Sequence, residues 1–249
     1  MRFLKKLILF TLLVLVVGTA VVGGRLIWQG YQIYKQVTDE ESLTEKVAEI
    51  RANPHYTTLD ELPQTYKDAV IAVEDSRFYR HGGFDLISTG RAVIINLKEG
   101  ELAEGGSTIT QQLAKNMYFT QEKKFLRKVA ELFVAFDLEQ NYTKDEILEL
   151  YLNTIYFGSG YYCVYDAAEG YFGKEPAQMT DYESTLLAGI PNAPSVYSLT
   201  NSPELAAQRQ KTVLECMVQQ DYITQERADA ILAEGEILLN GEVQQAGEE

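Results

Sequence analysis

The stretch EDSRFYRHGG, residues 74–83, sets two carboxylates, Glu74 and Asp75, side by side and brings His81 seven residues after the first. Such a group can bind a metal, move a proton, or simply end a helix in water. The metal reading needs more ligands. The chain holds two histidines, His55 and His81, and neither an HExxH nor an EF-hand loop. The acid–base reading has one physical support. Tyr66, Ala69, Val70 and Val73 recur at helical spacing, so Glu74 falls near an apolar face. Desolvation there raises a carboxyl towards the range of a useful general base. On this stretch alone, proton transfer and a solvated helix end both stay open.

Three further stretches could supply partners. EGGSTITQQLAKN, residues 104–116, leads two glycines into a Ser-Thr cap and a helix. A helix N-terminus of this kind suits an anion, although the P-loop pattern is absent. Thr108, Gln112 and Lys115 share one helical face, a hydroxyl, an amide and an ammonium suited to a phosphate or a sugar. A capped helix with its polar face in water fits the same pattern. In LRKVAELFVAFDLEQ, residues 126–140, Val129, Leu132, Phe133 and Phe136 form the expected core stripe. Arg127 and Glu131 are i, i+4 neighbours beside it, the spacing of a surface ion pair worth roughly 0.2–0.5 kcal/mol. Finally, residues 143–176 run from a helix with Leu148, Tyr151 and Leu152 as core, through Asn153 at its end, into a loop dense in Gly and Tyr. Aromatics with glycines can shape a sugar or lipid groove, and core packing is their commoner use.

The elements that must position these residues read as helices throughout. Pro63 suits a first helical position, Asp85 can cap the next helix, and Gly100 can end it. Thr108 with Gln111, Thr143 with Glu146, and Thr180 with Glu183 have capping-box spacing, and Ser202 precedes Pro203 as a further cap. Strand-like alternation is scarce. Apolar residues make up 46% of the 249, enough for a core, while the net charge of −14 argues against a nucleic-acid partner. Cys163 and Cys216 belong to no CxxC and to no zinc-like cluster.

The N-terminus adds a membrane. LILFTLLVLVVGTAVVGG, residues 7–24, is uncharged. At about 1.5 Å per residue it spans roughly 27 Å, close to the roughly 30 Å hydrocarbon core. Arg25 can snorkel, Trp28, Tyr31 and Tyr34 resemble an interfacial belt, and the basic MRFLKK should stay cytoplasmic. The run is longer than a signal-peptide core and no clean cleavage site follows it. The expected plan is a cytoplasmic tail (1–6), a transmembrane anchor (7–28), a membrane-proximal stalk (29–54), a helical domain (55–235) and an acidic tail (236–249).

In this order the four stretches resemble glycosyltransferase family 51, the peptidoglycan glycosyltransferase domain of class A penicillin-binding proteins and of monofunctional transglycosylases. The match to EDxxFxxHxG is complete at Glu74, Asp75, Phe78, His81 and Gly83. GGSTITQQLAKN (105–116), RKVAE (127–131) and ILELYLN (147–153) match the next motifs. YFG, AAEGYFGK and AGIPNAPSVYS follow the fifth region up to residue 198. The family usually shows a glycine where Cys163 stands, and a carboxylate or amide where Tyr165 stands, which leaves local loop packing open.

The resemblance implies a mainly α, lysozyme-like fold of two lobes around a cleft, on an N-terminal transmembrane helix in a bacterial plasma membrane, with the catalytic domain outside. It implies lipid II as substrate, polymerised with inversion into a β-1,4-linked glycan strand, with undecaprenyl pyrophosphate released. It makes Glu74 the general base and Glu131 the second catalytic carboxylate, which orients cations. Lys115 and Arg127, helped by Lys128, would take up the leaving pyrophosphate. Thr108 and Gln112 would hold the phosphosugar. Asp75, Phe78 and His81 would shape the cleft, and Asn153 joins the substrate-binding set. No dedicated metal site is legible, and the resemblance leaves room for a divalent cation, magnesium or manganese, bridging the pyrophosphate. Expected partners are lipid II, the growing strand, the membrane, and transpeptidases or other cell-wall assembly proteins. With no SxxK after the domain, the monofunctional form is expected. The rival readings are a lysozyme-like enzyme that cleaves peptidoglycan and an inactive membrane-anchored scaffold.

Overall fold

A computed structural model describes residues 2–99, 105–119 and 124–246. The helices in chain order are α1 (Arg2–Glu40), α2 (Leu43–Arg51), α3 (Gln64–Glu74), α4 (Leu86–Glu99), α5 (Ile109–Tyr118) and α6 (Lys124–Asn141). They continue with α7 (Lys144–Leu152), α8 (Val164–Phe172), α9 (Asp181–Gly189), α10 (Pro194–Tyr197), α11 (Pro203–Gln219) and α12 (Gln225–Ala246). No strand occurs among the described residues, as the hydrophobic periods imply.

The capping signals set most helix starts. Thr108, Thr143 and Thr180 each accept from the backbone N–H three residues on, and Gln111, Glu146 and Glu183 return the bond. A fourth box, Ser42 with Glu45, starts α2 inside the expected stalk. Each such cap is worth about 1 kcal/mol. Asp85 caps α4 by accepting from the N–H groups of Ile87 and Ser88. Ser202 occupies the cap position of α11 without a side-chain bond; Pro203 alone marks that start, because its missing N–H costs nothing in the first turn. The expected stop at Gly100 lies outside the described residues. Helix α12 runs on past Gly235 to Ala246.

Helix α1 is a single 39-residue rod whose apolar side chains between Leu7 and Val22 are exposed. Residues 29–40 do not form a separate stalk conformation. They continue α1 and lie along α6. The contact is close. A Cβ on Gly30 would lie 2.4 Å from Val129 Cγ1, so only glycine fits there. Tyr31 and Tyr34 pack on the Phe133 ring, and Tyr34 donates its hydroxyl hydrogen to Asp137. Tyr34 thus docks α1 onto α6.

The core is built by α3, α5, α7, α9 and α11 around the fully buried Tyr66, Leu113, Leu148, Tyr151 and Leu187. Helix α6 packs against α5, and its Ala130, Val134, Ala135 and Leu138 are all buried. The expected stripe of Val129, Leu132, Phe133 and Phe136 is therefore not the core face. Val129 and Phe133 serve α1, and Phe136 is 47% exposed. The helix carries two apolar faces, and small alanines let neighbouring backbone come close on the inner one. At Gly83 a Cβ would sit 2.9 Å from the Ala135 carbonyl carbon, which gives the last glycine of the first motif its physical reason.

Candidate active site

Asp75 joins two of the motif stretches. Its backbone caps the end of α3, and its buried carboxylate accepts from the Ile109 N–H at 3.0 Å and pairs with His81 Nε2 at 2.7 Å. Thr108 donates its hydroxyl hydrogen to the Gly83 carbonyl at 3.0 Å. The start of α5 is thereby closed. The N–H groups of Thr108, Ile109 and Gln111 are taken by Gln111, Asp75 and Thr108. The expected anion site at this helix end is already occupied by the protein's own carboxylate, which meets the positive end of the helix dipole. Thr108 is buried and spent on this cap, so it holds the helix and presents no free hydroxyl. His81 is pushed down by burial but raised overall by its hydrogen bond to Asp75, the Gly82 carbonyl and the Asp75 charge.

With α5 so fixed, Gln112 and Lys115 project towards Glu74. Gln112 Nε2 donates to Glu74 Oε2 at 2.7 Å, and Tyr151 donates its hydroxyl hydrogen to Gln112 Oε1 at 3.3 Å. Tyr151 therefore sets which way the Gln112 amide points. The other carboxylate oxygen, Glu74 Oε1, is buried without a hydrogen-bond partner. Burial raises the Glu74 pKa. Gln112's hydrogen bond and the charges of Arg209 and Lys115 oppose the rise, and Asp75 adds to it.

The cations come from α6. Glu131 is fully buried, with Arg127 Nε at 2.9 Å and Lys128 Nζ at 3.0 Å. Lys128 also donates to Ser107 Oγ at 2.7 Å, which ties α6 to the approach of α5. The pair is no surface bridge. A buried Glu131 commits both cations to one place, where losing a partner is costly. Lys115, exposed at its end, is lowered in pKa by desolvation, raised by Glu131, lowered by Lys128 and Arg127, and raised by Glu74. These five residues therefore converge. Three cations around one buried carboxylate leave a local positive excess on a chain of net charge −14.

The remaining candidates lie beneath this surface. Phe78 is fully buried under the Lys144 ammonium, 4.4 Å from the ring centroid. Asn153 is buried, accepting from the Thr57 N–H and donating to the Thr57 and Glu149 carbonyls. Asp75, Phe78 and Asn153 are thus buried and engaged by protein groups. Cys163 caps α8 and Tyr165 stacks on His55, so both departures from the family pattern have a packing role.

Asp75, His81 and Asp85 bring ligand atoms within 4.8 Å of one another. Their donors are already engaged. Asp85 pairs with Arg77 Nε at 2.9 Å besides capping α4, and Asp75 holds His81 and Ile109. A guanidinium beside the trio and two helix ends bound to it do not fit a resident cation. Two shallow grooves, of about 430 Å³ beside Arg51 and Tyr142 and about 230 Å³ beside Tyr56 and Tyr165, contain none of the motif residues.

Sequence reading misses two groups. Tyr151 reads as ordinary core, and its hydroxyl contact with Gln112 is only visible in three dimensions. Arg209, on α11 far along the chain, acts on Glu74 and carries no local signature.

The family model described as Transglycosylase matches residues 39–218. Penicillin-binding protein 1F of Bacillus subtilis is 46% identical over 186 residues, covering 75% of this chain and 26% of its own length. Penicillin-binding protein 1A of Vibrio cholerae is 41% identical over 248 residues, covering 94% of this chain and 30% of its own. The chain spans less than a third of the length of these relatives. A crystal structure of penicillin-binding protein 1A from Haemophilus influenzae aligns over 71% of this chain and 17% of its own, at 26% identity and a TM-score of 0.42.

Proposed function

The chain belongs to the transglycosylase family, and on that premise we propose that it is a peptidoglycan glycosyltransferase that polymerises lipid II into β-1,4-linked glycan strands. The observation that carries the reading is the state of Glu74. One carboxylate oxygen is held by Gln112, and the other is buried and free to accept. A desolvated carboxylate with one fixed and one open oxygen is what a general base needs.

The donor's anomeric carbon bears an α-linked pyrophosphate and the new bond is β, so a single displacement suffices. Glu74 Oε1 takes the proton from the acceptor sugar's 4-hydroxyl as its oxygen attacks. The bond to the pyrophosphate breaks, and its electron pair leaves with the phosphate oxygen. Lys115, Arg127 and Lys128 offset that developing charge. Glu131 holds the two α6 cations in position from below. Gln112 serves the base first, through its bond to Oε2, and Asp75 and His81 lock the helix ends on which both stand.

Helix α1 anchors this site at a bilayer, with the basic N-terminus on the cytoplasmic side. A lipid-linked substrate then meets the enzyme by diffusion in two dimensions. Transpeptidases and other wall-assembly proteins are the partners such a product calls for. Labelled lipid II incubated with the full chain should give a ladder of glycan strands on a gel. Unchanged lipid II, with muropeptides released from purified cell wall instead, would support cleavage and overturn the proposal.

A further inference from the structure

Helices α1 and α6 run side by side in the same direction. Gly30 lies against Val129, Tyr31 and Tyr34 lie against Phe133, and Tyr34 bonds Asp137. Rising numbers on α1 thus meet rising numbers on α6, and the start of α6 points back along the apolar part of α1. At about 1.5 Å per residue, Phe125 lies roughly 6 Å below Val129, level with Leu26. Leu26, one turn before Gly30 on the same face, is partly buried, while its neighbours Arg25 and Ile27 are exposed. That pattern fits a second helix alongside this turn. On the same count Arg127 is level with Trp28, and Lys128 with Gln29.

Phe125 is 64% exposed. A single exposed phenylalanine is ordinary on a protein surface. This one continues a larger apolar surface, because Leu7 to Val17, Val21, Val22, Ile27 and Trp28 of α1 are exposed as well. A span of about 20 residues that starts at Leu7 ends at Leu26, the level of Phe125. Arg127 and Lys128 then stand within a turn above the hydrocarbon edge, beside the tryptophan that suits the interface. An apolar side chain at the edge with cations directly above it matches the order of acyl chain and phosphate in a leaflet.

We propose that the first turn of α6 is a second membrane contact: Phe125 enters the acyl-chain edge of the leaflet beside Leu26 of α1, and Arg127 and Lys128 lie just above it at the depth of the lipid phosphates. The pyrophosphate of a lipid-linked donor is then met at the depth where the bilayer holds it. The inference rests on the reading of α1 as a bilayer anchor, and Trp28, the chain's only tryptophan, separates the two claims. Full-length protein is placed in vesicles of phosphatidylethanolamine and phosphatidylglycerol whose acyl chains carry bromine near the glycerol. Tryptophan emission is read against the same vesicles without bromine. In a Trp28→Phe background, Phe125→Trp should lose as large a fraction of its emission as Trp28 does in the unaltered chain. Phe136→Trp in the same background is also exposed but stands roughly 10 Å above Val129 on α6, and should lose none. An unquenched Phe125→Trp beside a quenched Trp28 would overturn the proposal and leave the anchor standing. An unquenched Trp28 would overturn the anchor reading and the proposal with it. Equal quenching at Phe136→Trp and Phe125→Trp would overturn the proposal too, because depth would not follow the register of the two helices.

Discussion

Gln112 holds Glu74: Nε2 stands 2.7 Å from Oε2 while Tyr151 fixes the far side of the same amide. The carboxylate is thereby aimed, with Oε1 buried and unbonded. The relationship joins three motif stretches on α3, α5 and α7, which explains why residues so far apart in sequence must be read together.

Replacing Gln112 with leucine removes the donor at similar volume. A hydrogen bond to a charged group is worth about 1.5–3 kcal/mol, so turnover near neutral pH should fall by roughly 10- to 100-fold. The loss should shrink as pH rises, because a Glu74 that has lost its donor ionises later. Steady-state rates across pH check this. A raised KM with an unchanged pH profile would instead make Gln112 a simple grip on the sugar.

The pH–rate profile itself should be a narrow bell. Burial raises Glu74, and the base works only when ionised, so activity is lost as pH falls through that raised value. Desolvation lowers Lys115, and the leaving group needs it protonated, so activity is lost again as pH rises through the lowered value. Both limbs should therefore lie inside the roughly 4.3 to 10.4 window of unperturbed glutamate and lysine. Lys115→Ala should remove the basic limb as well as most of the rate.

Gly30→Ala should destabilise the protein even though alanine favours helix by about 1 kcal/mol over glycine. The added Cβ meets Val129, and overpacking of this kind typically costs about 1–3 kcal/mol. Val129 lies between Lys128 and Ala130 on the turn that carries Arg127 and Glu131, so turnover should fall too. Gly18→Ala, with nothing within 4 Å of the new Cβ, is the neutral control. Thermal unfolding in detergent and lipid II assays compare the two.

What sequence alone conveys here follows the range of the interaction. Capping boxes act over three residues, and those at Thr108, Thr143 and Thr180 form as their spacing implies. The inner face of α6 is not legible in that way. Both of its faces are apolar, and only the presence of α1 decides that Phe133 turns outward while Ala135 meets the loop at Gly83. The start of α5 likewise offers an open anion site on paper, because nothing local reveals that Asp75 from α3 fills it. Glu131 reads as a surface charge until α6 is packed, and Arg209 is invisible until α11 reaches α3.

The most direct test of the central claim is glycan synthesis from labelled lipid II by Glu74→Gln, an exchange that keeps size and removes the base. Strand formation should fall by at least about 1,000-fold at every pH, with lipid II binding and the thermal transition close to wild type. Polymerisation at the wild-type rate by Glu74→Gln would contradict the assignment of Glu74 as the group that takes the acceptor's proton.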